Sequence, residues 1–102
     1  MKFERAGPFK RDYKRLSADH KNQFRASARV FHDCAVRAAA GEDNPWPSSM
    51  RVKPVHGAPG VWEMTWSMND PDGRATWEWL DIDGETGVRW RRVGDHRIFK
   101  SA

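Results

Sequence analysis

The 102-residue sequence lacks several things that would have narrowed its chemistry. It has one cysteine, Cys34, so no internal disulfide can form and the fold rests on packing, as suits a reducing compartment. No apolar run approaches the roughly 18 residues needed to span a bilayer, and residues 1–15 are charged throughout, without the apolar centre of a signal peptide. The expected location is cytoplasmic, with no membrane partner. His20, His32, His56, His96 and Cys34 show no paired ligand spacing, and the ends of His32-Asp33-Cys34 diverge on a helix. No metal site and no small-molecule cofactor is therefore expected. Asp81-Ile82-Asp83-Gly84-Glu85 lacks the later acids of a calcium loop and reads as a polar hairpin turn. There is no glycine-rich phosphate loop, and neither Cys34, inside a helix, nor Ser48-Ser49 lies beside a recognisable base motif. The commonest hydrolase and nucleotide-binding chemistries are thereby excluded.

What is present is aromatic and charged. Six Trp, five Phe and one Tyr are too many for a chain that stays unfolded, despite 31% charged residues and a mean hydropathy of -0.88. A hydrophobic content of 38% builds one core and leaves none for a second, so residues 1–102 are expected to form one domain. The net charge of +4 is unevenly placed. Residues 1–29 carry nine Lys/Arg against three Asp/Glu, a net +6; residues 63–87 carry one against seven, a net -6; residues 88–102 carry five against one, a net +4. Two basic ends around an acidic middle point to a polyanion or an acidic protein as partner.

The periodicity is helical first and then alternating. Residues 1–6 read as a short strand, Gly7-Pro8 breaks the chain, and Phe9, Tyr13 and Leu16 have helical spacing. Ser17 is a suitable N-cap for a longer helix whose apolar face is Phe24, Ala28, Phe31, Ala35 and Ala38, with Lys21, Arg25, Arg29 and Arg37 off it and Gly41 as the stop. After a connector at 42–47, Met50 to Val55 is a candidate strand that Pro54 confines to an edge. Val61 to Met68 alternates, with Trp62, Met64, Trp66 and Met68 on one side and Val61, Glu63, Thr65 and Ser67 on the other. Residues 69–73 are a hairpin loop. The return strand sets Ala75, Trp77 and Trp79 against Arg74, Thr76 and Glu78; after a loop at 81–87, Val88, Trp90 and Arg92 alternate with Arg89, Arg91 and Val93. The expected fold is α+β, with two N-terminal helices packed on one face of a small, mainly antiparallel sheet. Trp62, Trp66, Trp77, Trp79 and Trp90 then form the helix-covered face, and Trp46 stays outside that scheme.

The opposite face would look outward, carrying Glu63, Thr65, Arg74, Thr76, Arg89 and Arg91 on neighbouring strands. Arg92, His96 and Arg97 follow, and Arg51 and Lys53 lie on the preceding edge strand. Such a face is a candidate phosphate-binding surface. A histidine among several arginines suits transfer at a phosphodiester, which needs a base for the attacking hydroxyl, fixed cations around the phosphorane and an acid for the leaving oxygen.

The stretch 51–66 (RVKPVHGAPGVWEMTW), the run 72–77 (DGRATW) and the closing 88–99 (VRWRRVGDHRIF) resemble the RelE/ParE superfamily of bacterial toxins, and 9–16 (FKRDYKRL) resembles its first helix. The resemblance runs through nearly the whole chain. It implies the toxin of a type II toxin-antitoxin pair, usually a metal-independent endoribonuclease that cuts messenger RNA in the ribosomal decoding site by attack of a 2′-hydroxyl. By position, Arg74 matches the arginine that binds the scissile phosphate and His96 the late acid/base position. Glu63 stands where the RelE branch has a lysine. On this reading Glu63 serves as, or orients, the general base, His96 protonates the leaving oxygen, and Arg74 with Arg91 stabilises the transition state; the base and acid roles are exchangeable. Arg51, Lys53, Arg89 and Arg92 would hold RNA phosphates, and Phe99 would stack on a base where many relatives have tyrosine. The implied partners are a cognate antitoxin, the ribosome and mRNA. The ParE branch, which binds DNA gyrase without nuclease residues, and a non-catalytic interaction domain are the alternatives.

Overall fold

A computed structural model describes residues 1–68 and 72–102. Strand β1 (Lys2–Arg5) leads into helices α1 (Gly7–Arg15) and α2 (Ala18–Ala39). A 3-10 turn (Ser48–Met50), β2 (Lys53–Pro54), β3 (Trp62–Ser67), β4 (Gly73–Ile82), β5 (Glu85–Gly94) and a 3-10 helix (His96–Ser101) follow. The sheet order is β1-β5-β4-β3-β2. β1 runs parallel to β5, and every other pair is antiparallel.

Local chemistry accounts for the boundaries. Pro8 sits in the first turn of α1, where its missing N–H is no loss. Ser17 caps α2 by accepting a hydrogen bond from the His20 amide at 3.1 Å. Asp83 and Gly84, with φ of 52° and 80°, make the two-residue turn between β4 and β5, tighter than the loop expected over 81–87. Among the described residues no helix is long and apolar enough to cross a membrane.

The core lies between α2 and the sheet. Trp62, Trp77 and Trp90 stand in register across β3, β4 and β5. Phe31 of α2 reaches both Trp77 (4.9 Å between ring centroids) and Trp90 (4.7 Å), and Phe24 reaches Trp90 at 5.2 Å. Fully burying one such side chain contributes about 1.5–3 kcal/mol. Trp46, expected outside the core, instead stacks on Phe31 at 5.0 Å and closes its end. The connector has no period, but its prolines bring this ring back over the helix.

Three further expectations are corrected. The strand over Met50 to Val55 shrinks to Lys53–Pro54, because residues 48–50 form a 3-10 turn that buries Met50 and leaves Arg51 left-handed at φ 47°. The alternation in β5 is broken by a bulge. Trp77 pairs with Trp90 but Thr76 pairs with Arg92, so Arg91 is the extra residue. Arg92 therefore moves to the Thr76 side and Val93 into the core. A second irregularity, between Thr65 and Ser67, ends β3, and Met68 is left 54% exposed instead of facing the helices. Residues 69–71 of the expected hairpin loop lie outside the described residues.

Candidate functional site

On the sheet face away from the helices, pairing sets Lys53, Glu63, Thr76 and Arg92 in one row and Thr65, Arg74 and Gly94 in the next. The rows put Glu63 diagonal to Arg74, within reach of its guanidinium. Arg74 Nη1 donates to Glu63 Oε1 at 3.1 Å, and Arg74 Nη2 to Asp72 Oδ2 at 3.1 Å. Asp72 was not anticipated, although a spacing of two residues along an extended chain returns a side chain to the same face.

This face is not open as expected. Glu63 is 8% exposed, Thr65 4% and Thr76 fully buried. Over β4 and β5 the cover is the 3-10 helix His96–Ser101, which buries Ile98, together with Ala102. The Thr76 hydroxyl donates to the Ala102 main-chain oxygen at 3.4 Å and Arg91 Nε donates to the same atom at 2.9 Å. A six-residue 3-10 helix has no hydrophobic period to announce it, so alternation in the strands could not predict the cover. Arg74 Nε and Thr65 Oγ1 are buried and have no hydrogen-bond partner among the described residues. Arg74 thus keeps one donor unused beside the two that hold carboxylates.

The guanidiniums of Arg89, Arg91, Arg92 and Arg97 are also engaged. Arg91 Nη1 donates to Glu78, and Arg89 Nε donates to Glu4 at 2.5 Å and lies 3.6 Å from Glu78. Arg92 grips both oxygens of Asp12 on α1, at 2.6 and 3.1 Å, and donates to the Ser101 hydroxyl at 2.7 Å. The hydrogen bond to Asp12 raises the Arg92 pKa above its ordinary value. Arg97 donates to Asp95, whose side chain also accepts the Arg97 amide and so caps the 3-10 helix. These bonds from Arg97 hold the Asp95 carboxyl down at about 2.

The sequence-predicted residues therefore separate into two groups. Glu63 and Arg74 are in contact, Lys53 is the register partner of Glu63, and Arg91 joins Thr76 through Ala102. Arg89 is tied to β1 and Arg92 to α1, away from that pair. His96 is exposed and begins the 3-10 helix two residues after Gly94, the partner of Arg74. Among the described residues no hydrogen bond joins His96 to Glu63 or Arg74. Phe99 is half-buried, and Arg51 is exposed. Among the described residues no three His, Cys, Asp or Glu side chains gather as a metal-ligand set.

Neither a family model nor a curated protein matches the chain. Solved structures do. The isolated E. coli RelE toxin is similar at 12% identity and a TM-score of 0.52, over 91% of this chain and 81% of that one. The toxin-antitoxin complex RelBE of E. coli matches at 13% identity and 0.52, over 91% and 93%. A YoeB/ParE toxin from Agrobacterium tumefaciens matches at 17% identity and 0.53, over 94% and 99%. The fold is thus that of the RelE/ParE toxins, an α+β architecture with a short N-terminal strand.

Proposed function

We propose that residues 1–102 act as a single RelE-like domain, the toxin of a type II toxin-antitoxin pair, and that it is a cytoplasmic, metal-independent endoribonuclease acting on mRNA at the ribosome. One observation carries the reading. Arg74 sits half-buried between two carboxylates with its Nε unused, on the strand pair that leads into His96. A guanidinium binds phosphate and carboxylate oxygens with the same fork, so a scissile phosphate can take a place that Asp72 or Glu63 now fills.

The chemistry balances with the chain's own groups. Glu63, released from Arg74, takes the proton of the 2′-hydroxyl or orients the group that does. The 2′-oxygen bonds to phosphorus while the bond from phosphorus to the 5′-oxygen breaks, and His96 supplies the proton that the leaving oxygen needs. Arg74 and Arg91 hold the non-bridging oxygens as charge develops on them. The products are a 2′,3′-cyclic phosphate and a 5′-hydroxyl. Arg51 and Lys53, both exposed at the β2 edge, would hold flanking phosphates with Arg89 and Arg92, and Phe99 would stack on a base. A cognate antitoxin would lay an acidic or amphipathic segment over Arg74, Arg91 and His96.

One observation favours a second reading, a ParE-like gyrase inhibitor or a non-catalytic interaction domain. His96 makes no hydrogen bond to Glu63 or Arg74 among the described residues, and the guanidiniums of this face are already matched by acids. Mapping message ends after induced expression separates the two. The ribonuclease reading expects new 5′-hydroxyl ends inside translated frames, whereas intact messages with gyrase-dependent DNA breaks would establish the other.

A further inference from the structure

Where α2 ends, the connector and the sheet leave an open cavity of about 310 Å³, near the lower end of the size range of small-ligand sites, about 300–1,000 Å³. Four of the residues that line it are tryptophan. Trp77 is fully buried, and Trp46, Trp62 and Trp79 stand half-buried around it. Their planes differ. Trp62 stacks on Trp77 at 5.6 Å and 23°, Trp79 meets it edge-on at 5.1 Å and 84°, and Trp46 is tilted to it at 5.7 Å and 51°. Large rings left together in partial contact with water mark a place for a ligand. The charge around them is equally selective. In a chain of net charge +4, the described lining contains one charged residue, Glu42, and no Lys or Arg. Arg37, outside the lining, already bridges two members of the rim: its Nε donates to Glu42 Oε2 at 3.0 Å and its Nη2 to the Pro45 carbonyl at 3.2 Å. Among the described residues Glu42 Oε1 accepts no hydrogen bond. The rim thus holds one cation and keeps a carboxylate oxygen beside the rings.

We propose that this cavity is an aromatic cage for a free quaternary ammonium compound of about the size of choline, with its methyl groups against the indole rings and Glu42 as the counter-charge. A quaternary ammonium has no N–H to lose from water, and its charge is spread over methyl groups that pack like hydrocarbon. Indole is the aromatic ring that attracts such a cation best, within about 6 Å of the ring centroid. The lining argues against the other ligand classes. An anion would find no cation in it, and a neutral apolar molecule would gain nothing from Glu42. For the same reason the occupant is a free cation and not a phosphocholine headgroup, whose phosphate would meet a carboxylate and no base. The proposal stands apart from the ribonuclease reading, because these tryptophans pack into the helix-covered core and Arg74 lies on the other face of the sheet.

The test titrates the full chain with choline chloride, with sodium chloride adjusted to keep ionic strength constant, and follows tryptophan fluorescence and the melting temperature. The decisive comparison is 3,3-dimethyl-1-butanol, which has the shape of choline with carbon in place of the charged nitrogen. Choline is expected to bind saturably, and the neutral isostere about tenfold more weakly, because it keeps the apolar contact and loses the attraction to the rings. Phosphocholine should also bind about tenfold more weakly than choline, since its phosphate faces Glu42 without a base. Among variants, Trp79→Leu keeps an apolar side chain but no ring and should lose about tenfold, whereas Trp79→Phe should keep most of the affinity. Glu42→Gln should cost about two- to fivefold, as an exposed counter-charge does. Thermal melts check the fold of each variant; if Trp79→Leu unfolds, the isostere comparison, made on the parent alone, still decides. The cage is overturned if choline shows no saturable binding, if the neutral isostere binds as tightly, or if phosphocholine binds more tightly than choline.

Discussion

The helix-covered face of the sheet is closed by rings, and the opposite face by ion pairs under a short 3-10 helix. On the first, Phe31 lies against Trp46, Trp77 and Trp90, and among the described residues no ion pair joins these rings. On the second, Glu63, Asp72, Glu78 and Asp12 satisfy arginines whose forks accept phosphate as readily as carboxylate. Surface ion pairs contribute little to stability, about 0–1 kcal/mol each, whereas a buried ring contributes several times that. On the proposed function, stability and ligand exchange would therefore belong to opposite sides of one sheet, with a ligand rearranging the charged side without loosening the aromatic one.

The largest effect should come from breaking the aromatic side. Phe31→Ala, at a position with no exposed surface, is expected to cost about 3–5 kcal/mol in urea unfolding, through lost transfer energy and the cavity left between three tryptophans. Arg91→Ala, on the charged side, should cost about 1 kcal/mol or less in the same assay. Equal losses would erase the contrast between the faces.

The Glu63 and Arg74 pair is intermediate, because it is charged yet buried. Arg74→Met leaves the Glu63 carboxylate covered and without its cation, and about 1–3 kcal/mol should be lost. Adding Glu63→Gln should recover most of that loss, since the double variant leaves unmatched only Asp72, the more exposed of the two carboxylates that Arg74 holds. Failure of the second substitution to restore stability would mean that the pair contributes through packing instead of charge.

The smallest effects concern pH, and they fall in separate windows on the two faces. His32 stacks on Phe3 at 3.9 Å and lies by Trp90 and Asp33. Burial is the main cause that lowers its pKa below 6.5, with Asp33 opposing. The unfolded chain then binds the proton more readily, so stability is full above about 6.5 and falls as pH drops through 6.5 toward the folded value. His32→Phe keeps the stack and should flatten the melting temperature between pH 7.5 and 5.5. Asp95 behaves differently. Its folded pKa of about 2 lies below the ordinary 3.8, so its contribution is full above about 4 and is lost only as pH falls toward 2. Asp95→Asn should leave the profile between pH 7.5 and 5.5 unchanged.

These contrasts also explain what could be read from the sequence. Alternation through Trp62, Met64, Trp77 and Trp90 is a local property, and it locates the aromatic face and puts Arg74 on the far side, whereas the parallel pairing of β1 with β5 is not local and cannot be read from it. The helical spacing of Phe24, Ala28, Phe31 and Ala35 likewise located the covering helix. The charged side depends on register and on non-local closure. One bulge at Arg91 sent Arg92 to Asp12, and the diagonal between Glu63 and Arg74 follows from how β3 meets β4. A 3-10 helix without a hydrophobic period then covered Thr76. Trp46 was missed for the same reason, since a proline-rich connector has no period from which its packing could be inferred.

On the proposed function, the charged face does its chemistry by exchanging carboxylates for a phosphate at Arg74, with His96 as the proton donor. The most direct test is inducible expression of the parent and of Arg74→Ala/His96→Ala, with message ends and growth followed together and folding checked by thermal melt. The double variant is expected to fold, to form no new 5′-hydroxyl message ends and no longer to arrest growth. A folded double variant as toxic as the parent would contradict it.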